Sequence, residues 1–409
     1  MSEEKSQQNH SHLLKKYFDS VIEKKFGNII PPEAIITPFG VKTFDAILGG
    51  GIASSLLTAF SSAPETGKST LAFQFAANFI NTHPKSVVVY IDIEGASSVK
   101  NQGYVQDRIT TFGIDPDRIT YIPSPLDLVG VFDLIKNIIA GKKELENRTN
   151  SEYKLLIIWD SIAATSSSKD INAEDPNEVI GYKARELTHY ISRIKSDLIM
   201  NQVTLIAIDQ IRANMKIQSR FQTPDDKGVG EFSTNFKAAT NVSSFQHAVR
   251  QWVYFSRGTT LTVQDPLGVD GFIINVVLEK NKLAPSKIKI PLVFDKKFGV
   301  IGPLSEYYFI NEHTSFEKKI YKDAGLKKLF PPLIETSGRS KVINVIDPET
   351  GEIIESSDKF NERQFLKFYY SDPSFKKLFD KAVDVSIEER IVKPFFNRSN
   401  LIDSISDEE

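Results

Sequence analysis

Short continuous apolar runs alternate along this chain with longer stretches whose apolar residues recur at helical spacing. That alternation predicts a mostly parallel sheet flanked by helices, since strands buried on both faces read as unbroken apolar runs. Leu56–Phe60, Ser86–Glu94, Tyr153–Ser161 and Val203–Gln210 are the predicted strands of the core. Between them, apolar positions from Leu71 to Ile80, from Leu126 to Ile139 and from Tyr182 to Met200 predict helices. The polar stretches Gly141–Ser151 and Lys169–Ile180 are expected to be loops. Gln251–Phe255, Gly271–Glu279 and Ile288–Phe294 read as further strands. Past Gly299 the pattern changes. Val342–Asp347 and Glu352–Glu355 flank a Pro348-Glu349-Thr350-Gly351 turn, and Asp372-Pro373 opens an amphipathic helix carrying Phe375, Leu378, Phe379, Ala382 and Val383. We therefore expect a tail and leading helix over 1–31, an α/β core over 32–299 and a small α+β domain over 300–409.

One junction carries chemistry. The run Leu56–Phe60 leads into Ser61-Ser62-Ala63-Pro64-Glu65-Thr66-Gly67-Lys68-Ser69-Thr70, and a helix dense in apolar residues follows. Strand, Gly-Lys-Ser loop and helix together are the context of a phosphate-binding loop. Its backbone N–H groups and the positive end of the helix dipole converge on one seat for a triphosphate. Lys68 would reach the β- and γ-phosphates and the Ser69 hydroxyl would ligate Mg²⁺. Ser62 stands where the G-x-x-x-x-G-K-[ST] pattern has its first glycine. Serine is small enough to serve there while its backbone stays at φ < 0.

Acids and one amide end the other predicted strands. Asp92 and Glu94 close Ser86–Glu94, and ligands of open α/β sheets sit beyond the carboxyl ends of the strands. Glu94 is the candidate for polarising an attacking water; an acid capping the following turn is the plainer reading. Asp160 ends an apolar strand, the usual place for the carboxylate on the Mg²⁺ side of a phosphate-loop ATPase. Gln210 ends the fourth strand, where its amide can bond a γ-phosphate oxygen and lose that bond on hydrolysis.

Composition narrows the classes. The chain of 409 residues has no cysteine, which excludes disulfides, thiolate metal sites and a cysteine nucleophile. Its six histidines lack metal-site spacing, no apolar run reaches membrane-spanning length, and the polar start is no signal peptide, so a soluble cytoplasmic protein is expected. A net charge of −2 rules out binding nucleic acid by global charge, so cations for such a partner must be gathered locally. Ile211–Ser244 is a place for them: it is aperiodic and mixes Arg212, Lys216, Arg220, Lys227 and Lys237 with Phe221, Phe232 and Phe236. Cations among aromatics suit single-stranded nucleic acid, and a plain flexible loop is the alternative. From Ser11 to Phe26, Leu14, Tyr17, Phe18, Val21, Ile22 and Phe26 fall at helical spacing. Such a helix folds back on its own core or docks on a neighbouring subunit.

Taken in order, these features resemble the RecA family of recombinases. The resemblance rests on Glu23-Lys24-Lys25-Phe26-Gly27, Gly49-Gly50-Gly51, Pro64–Ser69, Ile91–Glu94 and Ile158–Ala164, and most specifically on Asp209-Gln210-Ile211-Arg212 and Glu279-Lys280-Asn281-Lys282-Leu283-Ala284. The C-terminal part is more similar to the phage UvsX-type branch. The resemblance implies an ATP-dependent, Mg²⁺-requiring strand-exchange protein that forms helical filaments on single-stranded DNA and pairs it with double-stranded DNA. Residues 62–70 would contact phosphates, Ser69 and Asp160 the metal, with Glu94 catalytic and Gln210 the sensor. Lys280 and Lys282 would reach a neighbour's ATP. Tyr104 or Arg108 would stack on adenine. Arg185, with Arg212, Lys216, Arg220, Phe221 and Lys227, would bind DNA. The leading helix would dock on the next protomer, and single-strand-binding and mediator proteins would be partners. Two other readings belong to different classes: a hexameric helicase-type motor on the same fold, and a non-hydrolysing, DNA-binding paralogue that serves a true recombinase.

Overall fold

The computed structural model describes residues 13–21, 24, 31–95, 103–167, 176–210, 249–311, 332–347 and 350–393. Contacts divide it into two units, 1–33 and 34–409. In the first, residues 13–21 are helical and leave Leu13, Leu14, Tyr17 and Phe18 each more than half exposed.

The second unit is organised by a nine-stranded sheet. Its central strands are β3 (Leu57–Ser62), β4 (Ser86–Asp92), β5 (Ile119–Pro123), β6 (Lys154–Asp160), β7 (Thr204–Gln210) and β8 (Gln251–Leu261). They lie parallel in the order β8-β3-β7-β6-β4-β5. Beyond β8 the sheet continues antiparallel through β9 (Gly271–Asn281), β10 (Lys289–Asp295) and β11 (Gly299–Val300). A short ribbon of β1 (Ile36–Thr37) and β2 (Ile52–Ala53) flanks helix α1 (Lys42–Leu48).

Alternate side chains of the same strands feed two separate cores, which is why those strands are apolar throughout. Phe60, Val88, Leu156, Ile158, Ile206 and Ile208 face α2 (Lys68–Thr82), whose Phe73, Phe75 and Phe79 are buried. Ala59, Val89, Ile91, Ile157, Trp159 and Ala207 face the other way, onto α4 (Leu128–Thr149) and α5 (Pro176–Met200). The short helix α3 (Gly103–Thr111) precedes β5.

After β11, helix α6 (Gly302–Asn311) packs its Leu304, Tyr307, Phe309 and Ile310 into the first core. Glu306 on α6 accepts a hydrogen bond from the backbone N–H of Lys42 at 2.9 Å, satisfying an unpaired donor at the start of α1. A three-stranded sheet, β12 (Ile334–Ser337), β13 (Ser340–Ile346) and β14 (Ile353–Ser356), leads to α7 (Phe365–Ser371) and α8 (Pro373–Ile387). Asp372 caps α8 by accepting from Ser374 and Phe375, as Asp-Pro predicts. Phe365, with ring contacts to Tyr307, Phe360, Phe375 and Phe379, joins this part to the first core.

Three expectations needed correction. Gly141–Ser151 is not a loop: α4 runs on to Thr149 and ends at Asn150 in the left-handed region. Ion pairs Lys142–Glu146 (2.7 Å) and Glu144–Arg148, each four residues apart, hold this polar extension. Part of Lys169–Ile180 is also helical, since α5 begins at Pro176, where the ring's fixed φ suits a first helical position. β8 and β9 run past Phe255 and Glu279, so that Lys280 and Asn281 lie within a strand. Residues 168–175 and 211–248, which include Arg212, Lys216, Arg220, Phe221 and Lys227, lie outside the described residues.

Candidate nucleotide site

The carboxyl ends of β3, β4, β6 and β7 open on one cavity of about 430 Å³. Glu65, Gly67, Lys68, Ser69, Thr70, Asp92, Glu94, Arg108, Asp160 and Gln210 line it. Lys68, Ser69, Glu94, Asp160 and Gln210, which are scattered over 143 positions of sequence from 68 to 210, are thus brought together.

The loop that feeds the cavity has Glu65 and Gly67 at positive φ, 60° and 92°. Gly67 needs to be glycine twice over. A β-carbon there would lie 2.8 Å from the ring of Phe294, and φ 92° strains any other residue. Ser62 is absent from the positive-φ residues, as its replacement of glycine requires. Ser62 and Thr66 are buried, whereas Ala63, Pro64 and Glu65 are exposed. Thr66 donates to the Ala63 carbonyl at 2.9 Å, closing the turn.

Lys68 is 6 % exposed, and its ammonium bonds inward, to Ser62 Oγ (2.9 Å), Ala63 O (3.0 Å) and Ser62 O (3.3 Å). Burial lowers its pKa to about 8, against the opposing pull of Asp160, Asp209 and Glu94. Ser69 Oγ donates to Asp160 Oδ2 at 2.7 Å, and the Tyr90 hydroxyl donates to the same oxygen at 2.5 Å. Burial pushes the Asp160 carboxyl up, and these two hydrogen bonds pull it back. A hydroxyl and a carboxylate in contact are an all-oxygen donor pair suited to a hard divalent cation that shares its remaining positions with phosphate and water. Asp92 accepts from the Gly95 N–H and the Tyr121 hydroxyl. Glu94 Oε1 accepts from Ser161 Oγ at 3.1 Å, which orients this carboxylate.

Sequence reasoning missed one wall of the cavity. Arg257 lies 4.4 Å over the Phe272 ring, Phe272 stacks on Phe294 at 4.9 Å, and Lys296 completes the set. These come from β8, β9 and the end of β10; a lone Arg inside an apolar strand was the available signal. Arg108 lines the cavity and donates to the Lys296 and Lys297 carbonyls. The Tyr104 side chain lies outside the described residues.

Lys280 and Lys282 do not join this cavity. β9 runs antiparallel to β8 with Asn281 opposite Gln251, and Gln251 continues the ladder beside Thr58 at the start of β3. Lys280, opposite Trp252, is level with Ala59, and Lys282 lies near the start of β3, so along the strand they are set back from Ser62 by roughly 10 Å and roughly 16 Å at the usual rise. Asn281 fixes this end. Its amide donates to the Ile47 and Leu48 carbonyls, while the buried Gln251 side chain bonds Leu48, Gly51, Ala53 and Thr58. Burial lowers the Lys280 pKa, and the charges of Lys282 and Arg250 lower it further, so three cations share one corner. Arg185 is exposed on α5.

Asp209, behind Gln210, has both carboxylate oxygens buried with no hydrogen-bond partner among the described residues. Burial raises its pKa from 3.8 to about 6, opposed by Lys68 and Lys183. An acid raised on folding stabilises the fold only while protonated; that contribution is full below pH 4 and is lost as pH rises through 6. Asp209→Asn is thus expected to raise stability by roughly 1–3 kcal/mol at pH 8. In denaturant unfolding, that gap should close toward pH 4.

No protein-family model matches the chain. Among curated proteins it is 27% identical over 275 residues to Protein RecA of Aquifex pyrophilus, covering 65% of this chain and 69% of that one. Protein RecA of Fusobacterium nucleatum is 24% identical over 307 residues, with 74% and 71% covered. Protein RecA of Mycoplasmopsis pulmonis is 25% identical over 313 residues, with 73% and 80% covered. The large, mostly parallel sheet with helices on both faces and the Gly-Lys-Ser loop after β3 give this chain a RecA-like α/β core, in keeping with its similarity to RecA proteins.

Proposed function

We propose that this chain is an ATP-dependent DNA strand-exchange recombinase, similar in its C-terminal part to the phage UvsX-type branch, that assembles as a helical filament on single-stranded DNA. One observation carries the reading: the nucleotide cavity and the Lys280–Lys282 corner lie at opposite ends of the same strand. Cations so placed serve no phosphate in their own chain, but they suit the γ-phosphate of a neighbour stacked end to end. The exposed apolar face of residues 13–21 supplies a second contact to that neighbour.

In this reading the loop from Ser62 to Thr70 seats ATP, with Ser69 and Asp160 holding Mg²⁺. The cation, when bound, neutralises charge developing on the phosphates. Glu94, held by Ser161, orients a water for in-line attack and takes its proton. As the new O–P bond forms, the bond from γ-phosphorus to the bridging oxygen breaks and ADP departs. Lys68 and Gln210 on one side, and the neighbour's Lys280 and Lys282 on the other, stabilise the equatorial oxygens. Gln210 continues directly into 211–248, the segment proposed with Arg185 to bind DNA, so the phosphate state is passed to the DNA contacts along the chain itself. A cytoplasmic location and single-strand-binding or mediator partners follow from the same reading.

The test is strand exchange between homologous DNAs and DNA-stimulated phosphate release, with filaments followed by electron microscopy. Open helices with ATP and single-stranded DNA are expected, where closed rings would indicate a helicase-type motor. Absence of DNA-stimulated hydrolysis in a chain that binds DNA would favour the mediator reading. Lys280→Ala is expected to lower hydrolysis at least tenfold and to shorten the assemblies seen by light scattering.

A further inference from the structure

The geometry points to Ser62 as a positioning residue that holds Lys68 in a resting posture and thereby sets the affinity for the nucleoside triphosphate. This rests on the proposed nucleotide site and concerns a residue that departs from the phosphate-loop pattern.

An ammonium has three protons and no acceptor. In this chain all three have partners within the protein: Ser62 Oγ at 2.9 Å, Ala63 O at 3.0 Å and Ser62 O at 3.3 Å. Any bond from Lys68 to a phosphate oxygen therefore displaces one of them. The two carbonyls would be present whatever residue stood at 62. The hydroxyl is present only because this residue is not glycine. It is also preset: Ser62 Oγ donates its own proton to the Ala63 carbonyl at 2.7 Å, so its lone pairs are left to the ammonium. Ser62 is fully buried at the end of β3, paired with Gln210 and Phe255 in the flanking strands, so no solvent competes for the bond. Hydrogen bonds to charged groups are the strong ones when desolvated. Each one in the resting posture opposes the shift of Lys68 toward phosphate, because binding can draw only on the difference between the two postures.

The experiment measures the dissociation constant of a fluorescent, non-hydrolysable ATP analogue with Mg²⁺ and without DNA, using the full chain. Ser62→Ala and Ser62→Gly are each compared with wild type, and again in a Lys68→Met background. The expected result is binding roughly three- to tenfold tighter in both single variants. With Lys68→Met present, Ser62→Ala should have no effect, because the held group is gone. Equal or weaker binding in both single variants overturns the inference. So does a gain that persists with Lys68→Met, since Ser62 would then act through loop shape and not through the ammonium. Ser62→Gly restores the residue of the usual pattern and guards against a variant that misfolds. Failure of the wild-type chain to bind the analogue would instead bring down the nucleotide site itself.

Discussion

Lys68→Ala is expected to abolish ATP hydrolysis, lowering phosphate release by at least a hundredfold, and to weaken triphosphate binding. Among the described residues Lys68 is the one buried cation lining the cavity, and the charges of Asp160, Asp209 and Glu94 act on it. Its removal leaves Asp92, Glu94 and Asp160 facing an incoming triphosphate, with only backbone N–H groups, the helix dipole and the less buried Arg108, Arg257 and Lys296 of the cavity wall to compensate. Phosphoryl transfer depends almost wholly on positioning and on charge stabilisation of the equatorial oxygens, so the loss falls on the transition state. Phosphate release in the presence of single-stranded DNA measures it. Hydrolysis at the wild-type rate in this variant would refute the assignment of the site.

Glu94→Gln is expected to separate binding from turnover. Glutamine keeps the shape and can still accept the Ser161 hydrogen bond, so the analogue should bind at close to wild-type affinity. Without a carboxylate to take the proton of the attacking water, hydrolysis should fall by about a hundred- to ten-thousandfold. Single-turnover hydrolysis alongside equilibrium binding reads the two effects separately. The same variant decides between the two roles open to an acid at this position. A residue that merely caps a turn would alter stability and leave the chemical step alone.

What could be read from the sequence follows from where the information is local. β3, β4, β6 and β7 were legible because both faces are buried, and their ends named Asp160, Glu94 and Gln210. Lys68 and Ser69 were legible because strand, loop and helix are contiguous. The extension of α4 past Gly141 was not, because its apolar stripe ends before its ion pairs begin. α6 was hidden for the opposite reason: buried on most sides, it shows little helical period. The wall of Arg257, Phe272 and Phe294 is assembled from antiparallel strands that meet the phosphate loop only through tertiary packing. Nor does a sequence reveal that Ser161 bonds Glu94, or that Lys68 is tied back by Ser62. Those are facts of distance.

The amide of Asn281, which ties the Lys280–Lys282 corner to the carboxyl end of α1, has a consequence for any stack of these molecules. Gln251, paired with Asn281 across the strands, bonds the Gly51 carbonyl in the glycine turn ahead of β3, and the far end of β3 carries the Gly-Lys-Ser loop. In the proposed filament, plug and socket would stand on one rigid bar. A chain at one tip of a polymer would offer a socket with no plug in it, so turnover per molecule should climb with polymer length and level off once tips become rare.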